Sequence, residues 1–166
     1  MEDLDGKEIF ILENDFIENR WNMNLFEQLT SLEGRINRQR YILLTLLVFP
    51  IMILLFIPNI IISIFIPEIL WPIVDMVFYS PVVYLLYSII IKRLYDTGRS
   101  GGWILYAQIF SVLLFLYLIT PIGSNIELLF DVLSSILAIP LGIVCLFFEG
   151  DIGDNEHGPD PLSRFQ

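Results

Sequence analysis

The chain has 166 residues, of which 55% are hydrophobic and 17% are charged, and its net charge at pH 7 is −10. A mean hydropathy of +0.70 leaves enough apolar sequence for several membrane spans and little for a separate soluble domain. The acidic balance argues against nucleic-acid binding, which usually requires a basic face.

The first 40 residues form an acidic segment in which apolar residues recur at spacings of mostly three to five. This spacing predicts an amphipathic helix. The pattern consists of Phe16, Ile17, Trp21, Leu25, Phe26, Leu29 and Leu32. Such a helix would lie along the inner leaflet or pack as a short soluble helix on the cytoplasmic ends of the spans. The sequence favours neither placement, because Asp15, Glu18 and Glu27 are unfavourable beside anionic lipid.

Four apolar stretches follow, and none of them contains Lys or Arg. They cover residues 41–66, 69–91, 103–119 and 126–148. A helix needs roughly 20 residues to cross about 30 Å of hydrocarbon, and these stretches are close to that length. The sequence therefore predicts an all-α membrane protein with four transmembrane helices in residues 41–148. A cytoplasmic N-terminal segment, 1–40, and a Gly-, Pro- and Asp-rich tail, 149–166, complete the chain.

The basic residues predict how these spans are oriented. They cluster at one side of the predicted bilayer, as Arg35, Arg38, Arg40, Lys92, Arg93, Arg99 and Arg164. Cytoplasmic flanks retain Lys and Arg, so both termini and the loop between the second and third spans are expected in the cytoplasm. The lone Cys145 lies in the fourth span, so no intrachain disulfide is expected.

The central loop carries the densest local chemistry. The two cations that end the second span complement its helix dipole, and Gly98 permits a left-handed turn. Arg99, backed by Lys92 and Arg93 and by the amides of the neighbouring glycines, would bind a phosphate such as a lipid headgroup. The alternative is that Arg99 pairs with Asp96 or with an acid of the tail.

The tail is expected to fold back over this basic loop. Its acids, Asp151, Asp154, Glu156 and Asp160, would pair with Arg35, Arg38 or Arg99. A divalent metal held by these acids and His157 is a weaker alternative, because the string from Asp151 to Asp154 breaks the spacing of a calcium loop. Neither a metal site nor a cofactor is therefore predicted.

Three carboxylates fall within the predicted spans. Asp75 and Asp131 lie ~9 Å and ~7.5 Å below the outer ends of their helices, and Glu127 precedes Asp131 by one turn. Intramembrane carboxylates often mark ion pathways, so these three are candidates for a proton or cation site. The alternative is that Asp75 and Asp131 are protonated or bonded to Tyr and Ser hydroxyls and hold helices together.

A stripe of small residues on the fourth span predicts close helix packing. Ser134, Ala138 and Gly142 are spaced four apart and would let another helix approach. A helix of the same chain is the expected neighbour, and a contact within a homo-oligomer is the alternative.

Three short sequence blocks, in a fixed order along the chain, flank the spans. They are Gly34-Arg35 with Arg38 and Tyr41, the string Lys92 to Gly101, and Gly153-Asp154-Asn155 with Gly158-Pro159-Asp160-Pro161. On these blocks the chain resembles the YhaH-like family of small bacterial inner-membrane proteins, a domain of unknown function. The resemblance implies a multi-span inner-membrane protein without an assigned activity. The chain departs from that pattern at Tyr95, where His is expected, and at Gly102, where Trp is common.

These observations favour a non-enzymatic binding or scaffold protein, whose cytoplasmic cap contacts anionic lipid headgroups or a protein partner. The candidate cap residues are Arg35, Arg38, Lys92, Arg93, Asp96, Arg99 and Asp160. The alternative is a small proton or cation transporter or channel subunit that uses Asp75, Glu127 and Asp131. An enzyme is not expected, because the sequence has one imidazole, His157, and no His-backed nucleophile.

Overall fold

The computed structural model of the protein describes residues 25–99, 101–121, 123–158 and 160–161. Within these ranges the chain forms five α-helices and one short 3-10 turn, Glu68–Leu70. The helices are α1 (Leu25–Thr30), α2 (Arg38–Phe65), α3 (Trp71–Asp96), α4 (Gly102–Ile119) and α5 (Asn125–Phe147). Helices α2 to α5 are long and apolar enough to cross a membrane, which confirms the prediction of four membrane-capable helices.

Helix α3 runs five residues beyond its predicted end at residue 91. It continues to Asp96, and its last turn carries an ion pair between Arg93 and Asp96, three residues apart. The helix then stops in a Schellman motif, in which Arg99 N bonds to Leu94 O at 2.9 Å and Gly98 N to Tyr95 O at 3.3 Å. Gly98 adopts φ +64° there, a left-handed conformation that costs glycine little.

The four long helices pack in chain order, each beside the next, with a narrow contact between α5 and the pair α2 and α3. Their buried residues gather at one end. We call this the cap end, which holds the N-terminus of α2 and the C-termini of α3 and α5. The other end is called the open end. At the cap end, Leu94, Ala107 and Cys145 from three different helices are fully buried together.

The open end is built differently. Among the described residues, Asn59 is buried there, whereas apolar side chains such as Phe65 and Ile69 are more than 80% exposed. In the most apolar stretch of each long helix, only 6% to 28% of the residues are buried inside the protein. A bilayer covers such apolar surface without any protein contact, which is the pattern of a multi-pass membrane protein.

Only part of the predicted amphipathic helix belongs to the described residues. Helix α1 covers Leu25 to Thr30, whereas Phe16, Ile17 and Trp21 lie outside the described ranges. Leu29 is buried against Leu44 and Val48 of α2, and Leu25 and Phe26 are exposed. The described turn and a half of helix thus has a buried side and an exposed apolar side.

A candidate ligand-binding cap at one end of the helices

Asp96 lies at the centre of the cap end. Its Oδ1 is 3.3 Å from Nη2 of Arg35, and its Oδ2 accepts a hydrogen bond from Nη1 of Arg93. The three side chains are at most 4% exposed. Such a cluster keeps its charges only where each is neutralised and hydrogen-bonded, because burial removes their water. The other guanidinium donors of the two arginines bond to backbone carbonyls, except Arg35 Nε, which is buried without a partner among the described residues.

Arg93 joins the end of α3 to the end of α5. Its Nε donates to Cys145 O at 3.0 Å, and its Nη2 donates to Phe148 O at 2.7 Å. These carbonyls belong to the last turn of α5, where no intrahelical partner exists and the helix dipole is negative. The guanidinium therefore caps a neighbouring helix while it neutralises Asp96.

Arg35 joins the tail to the ion cluster by donating to backbone carbonyls of the tail. Its Nη1 donates to Gly153 O at 2.7 Å, and its Nη2 donates to Asp151 O at 2.6 Å. Asp151 N in turn donates to Asp96 O at 2.6 Å, so the tail is attached on both sides of the ion cluster. The tail thus lies over the end of α3 as expected, and it offers backbone carbonyls to Arg35.

Two tail acids close the tail on itself. Asp160 Oδ2 accepts from Gly153 N at 2.9 Å, and Asp154 Oδ1 accepts from Asp160 N at 2.9 Å. Asp160 is 9% exposed and, together with Arg93 and Asp96, lines a cavity that is described below. The ion cluster and the tail acid that lines the cavity with it therefore comprise two arginines and two aspartates, which balance in charge.

Two glycines allow the tail to approach the end of α3 closely. A Cβ atom at Gly150 would overlap the carboxylate of Asp96, and one at Gly98 would overlap the carboxylate of Asp151. The loop around Gly98, predicted as part of a phosphate site, therefore faces a carboxylate of the same chain.

The tail makes a second contact with α3. The ring of His157 stacks on Tyr95, with centroids 3.8 Å apart and an angle of 16° between the planes. Asn155 Nδ2 donates to Tyr95 O at 3.2 Å. The family pattern predicts His at position 95. In this chain Tyr95 stands there, and the imidazole that lies against it is that of His157 in the tail.

The remaining predicted cap cations have separate surroundings. The guanidinium of Arg99 lies 4.0 Å from the centre of the Phe148 ring and donates to Thr97 O. Lys92 is 3% exposed and donates to Gln28 O. Arg38, by contrast, is exposed in the first turn of α2. The structure thus directs Lys92 and Arg93 into the protein, and Arg38 remains accessible.

A cavity of about 360 Å³ lies beside the ion cluster. Its walls are the first residues of α2 (residues 37–39), Arg93 and Asp96 of α3, the chain from residue 148 to 152, and Asp160. Arg38 supplies an exposed cation on one wall, and Glu149 and Asp151 supply exposed acids on another. The cavity can therefore hold a small polar group.

The intramembrane carboxylates are not gathered at one site in the described chain. Asp75 Oδ1 accepts from Asn59 Nδ2 at 2.9 Å, which joins α3 to α2. Glu127 accepts from Gly123 N while its own N–H donates to Ser124 Oγ at 3.0 Å, so it caps the start of α5. Glu127 and Asp131 line a separate cavity of about 280 Å³ together with Tyr117.

Asn59 was missed as the partner of Asp75, although the sequence carries a signal for it. Asn59 lies eight residues before Pro67, and Asp75 lies eight residues after it. Two helices joined by so short a turn are antiparallel neighbours, so these side chains share a depth. The hydrogen bond agrees with the alternative in which Asp75 joins helices, with an amide as the donor in place of a hydroxyl.

No group of three or more His, Cys, Asp or Glu side chains is placed to hold a metal ion within the part of the chain that the structure describes.

The fold and the cap define a multi-pass helical membrane protein whose polar residues are concentrated at one end. A family model described as "Protein of unknown function (DUF805)" matches residues 29–159. The chain belongs to this family, and the match covers the last two residues of α1, all four long helices and most of the tail. Comparisons with curated proteins and with solved structures give no match.

Proposed function

We propose that the protein is a non-enzymatic, YhaH-like protein of the bacterial inner membrane whose cap binds an anionic lipid headgroup. In this proposal the cap end and both termini face the cytoplasm, since basic residues flank the spans at that end. The observation that carries the proposal is the cavity beside Arg38, at the level where headgroups meet the first turn of α2.

Two features of α2 favour an anion at this position. Arg38 and Arg40 are exposed in its first turn. The amides at the start of a helix point outward and carry the positive end of its dipole. Each cation near an anionic bilayer surface contributes about 1 kcal/mol. Binding would therefore depend on these two arginines, because Arg35 and Arg93 are already engaged with Asp96 and with carbonyls.

The acids on the opposite wall limit what this site accepts. Glu149 and Asp151 would repel a second phosphate, so a headgroup with one phosphodiester suits the cavity better than one with several. Phosphatidylglycerol has this chemistry. A polyphosphorylated headgroup would meet these carboxylates.

Native mass spectrometry of the detergent-solubilised protein, titrated with phosphatidylglycerol, tests the proposal. The double variant Arg38→Gln with Arg40→Gln should weaken stepwise lipid binding by up to about 30-fold. Lys7→Gln with Arg164→Gln makes the same change in net charge at positions farther along the sequence from any span, and it should bind like the parent protein. Equal loss in both variants would contradict a site at the start of α2.

A further inference from the structure

Three consecutive backbone carbonyls at the end of α1 are bonded to side chains from one face of α3. Gln28 O accepts from Lys92 Nζ, and Leu29 O accepts from Ser88 Oγ. Thr30 O accepts from Tyr84 OH at 2.7 Å. The three donors are spaced four residues apart, so they form a single line along α3. Helix α1 therefore lies against the flank of α3 and is not seated on its end.

Ser88 shows how deep this contact lies, because its side chain is too short to reach far along the helix axis. It stands eight residues before Asp96, the last residue of α3. At 1.5 Å per residue, the Leu29 carbonyl lies roughly 12 Å from the end of α3. Leu29 also packs with Val48, ten residues into α2. Its contacts with α3 and with α2 thus place Leu29 at a similar depth below the cap end.

Helix α4 places the membrane boundary at the end of α3. It has 18 residues, which is roughly 27 Å and barely enough to cross the hydrocarbon region. Its first turns, with Trp103, Ile104 and Ala107, pack against Leu94 and Ile91 in the last turns of α3. The whole of α4 must lie in hydrocarbon if it spans the bilayer, so the last turns of α3 mark its edge.

We propose that residues 25–36 form a re-entrant element, which enters the leaflet at the cap end, docks on α3 and returns before α2 begins. Leu25 and Phe26, which are 54% and 73% exposed, would then contact lipid acyl chains. Neither a helix along the membrane surface nor a soluble helix above the bundle has this geometry. The partner of the exposed apolar face is the interior of one leaflet.

Hydrogen-bonding requirements support this placement. Non-helical backbone occurs at membrane depth only where protein or enclosed water satisfies its polar groups. The carbonyls at the end of a short helix lack intrahelical partners, and Tyr84, Ser88 and Lys92 supply them here. The returning chain is buried at Arg35 and Ile36. Glu33 is exposed, but it lies two residues before Arg35, which has returned to Asp96 at the edge.

Spin labels on the full chain in lipid nanodiscs would measure this depth. Phe26→Cys carries the test label, Leu46→Cys marks a lipid-facing position on α2, and Ile152→Cys marks an apolar residue, 95% exposed, beyond the end of α5. The parent chain serves as the blank, since Cys145 is fully buried. We expect the label at position 26 to lose access to a water-soluble nickel chelate and to gain access to oxygen, as at position 46. Nickel access like that at position 152 would overturn the proposal.

A second measurement tests the docking on α3. Ser88→Ala with Tyr84→Phe removes two of the three donors, so α1 should leave the leaflet and nickel access at position 26 should rise. Ser111→Ala is the matched control, because the Ser111 hydroxyl donates to Ala107 O within its own helix, and it should change nothing at position 26. Unchanged access in the Ser88 and Tyr84 variant would contradict docking through these carbonyls.

Discussion

The two ends of the helix array are built by opposite means. At the cap end, Arg35, Arg93 and Asp96 are almost wholly buried and connect α3, α5, the segment before α2 and the tail through charge-assisted hydrogen bonds. At the open end, α2 and α3 are joined by the bond from Asn59 to Asp75 and by Trp71 Nε1, which donates to Ser63 O at 3.2 Å, among largely exposed apolar side chains. Protein contacts therefore define the structure of one end, and the bilayer is left to cover the other.

The largest expected effect comes from the same chemical change made at each end. Asp96→Asn leaves two buried arginines without a carboxylate, and breaking such a buried pair typically costs 3–5 kcal/mol. Asp75→Asn keeps an oxygen that accepts from Asn59, so it should cost about 1 kcal/mol or less. The midpoints of thermal unfolding of the two variants in detergent would be compared, with size-exclusion chromatography as the readout of folded protein. Similar losses for both variants would contradict the difference between the ends.

The next effect concerns the close approach of the tail. Gly150→Ala places a methyl group on the Asp96 carboxylate, which two arginines hold in place, and overpacking of this kind costs about 1–3 kcal/mol.

Gly142→Ala is the matched control for Gly150→Ala. It lies inside α5 with open space around its Cβ position, and alanine in a helix should stabilise it by about 0.5–1 kcal/mol. The unfolding midpoints should move in opposite directions. Two shifts of the same sign would show that the tail does not approach Asp96 so closely.

The smallest effect is expected at the outer contact of the tail. His157→Ala removes the ring stacked on Tyr95, and an aromatic pair of this kind contributes about 0.5–1.5 kcal/mol beyond its buried area. Limited proteolysis should therefore cut the tail faster, while the midpoint for the helices changes little. Glu156→Ala removes an exposed carboxylate that lies 3.2 Å from His157 Nε2 but keeps the stacked ring, so it should raise the rate of cutting much less. Equal rates of cutting for the two variants would contradict a role of the His157–Tyr95 stack in holding the tail.

The long helices were predictable because hydropathy acts locally. A run of about 20 apolar residues crosses hydrocarbon whatever its neighbours are, so the predicted ends fall within three residues of the observed ones, apart from the later end of α3. The concentration of polar chemistry near Arg35, Asp96 and the tail was also readable, because these residues flank the spans on one side.

The partners of these residues were less accessible from sequence. Charge counting paired Arg35, Arg38 or Arg99 with tail acids, whereas Arg35 meets Asp96 and tail carbonyls and Arg99 lies on the Phe148 ring. Carbonyls occur at every residue, so composition cannot reveal which of them will accept a hydrogen bond. The line of Tyr84, Ser88 and Lys92 on α3 was hidden for the same reason.

Sequence alone determined that this protein has four membrane-capable helices and a polar end, since both follow from how each short stretch partitions between water and hydrocarbon. The tertiary structure alone decided which charges are buried, where the tail is attached, and that Asp75 is bonded to Asn59 while Glu127 and Asp131 line a cavity. Those outcomes depend on distances between segments far apart in the chain, and no local preference encodes them.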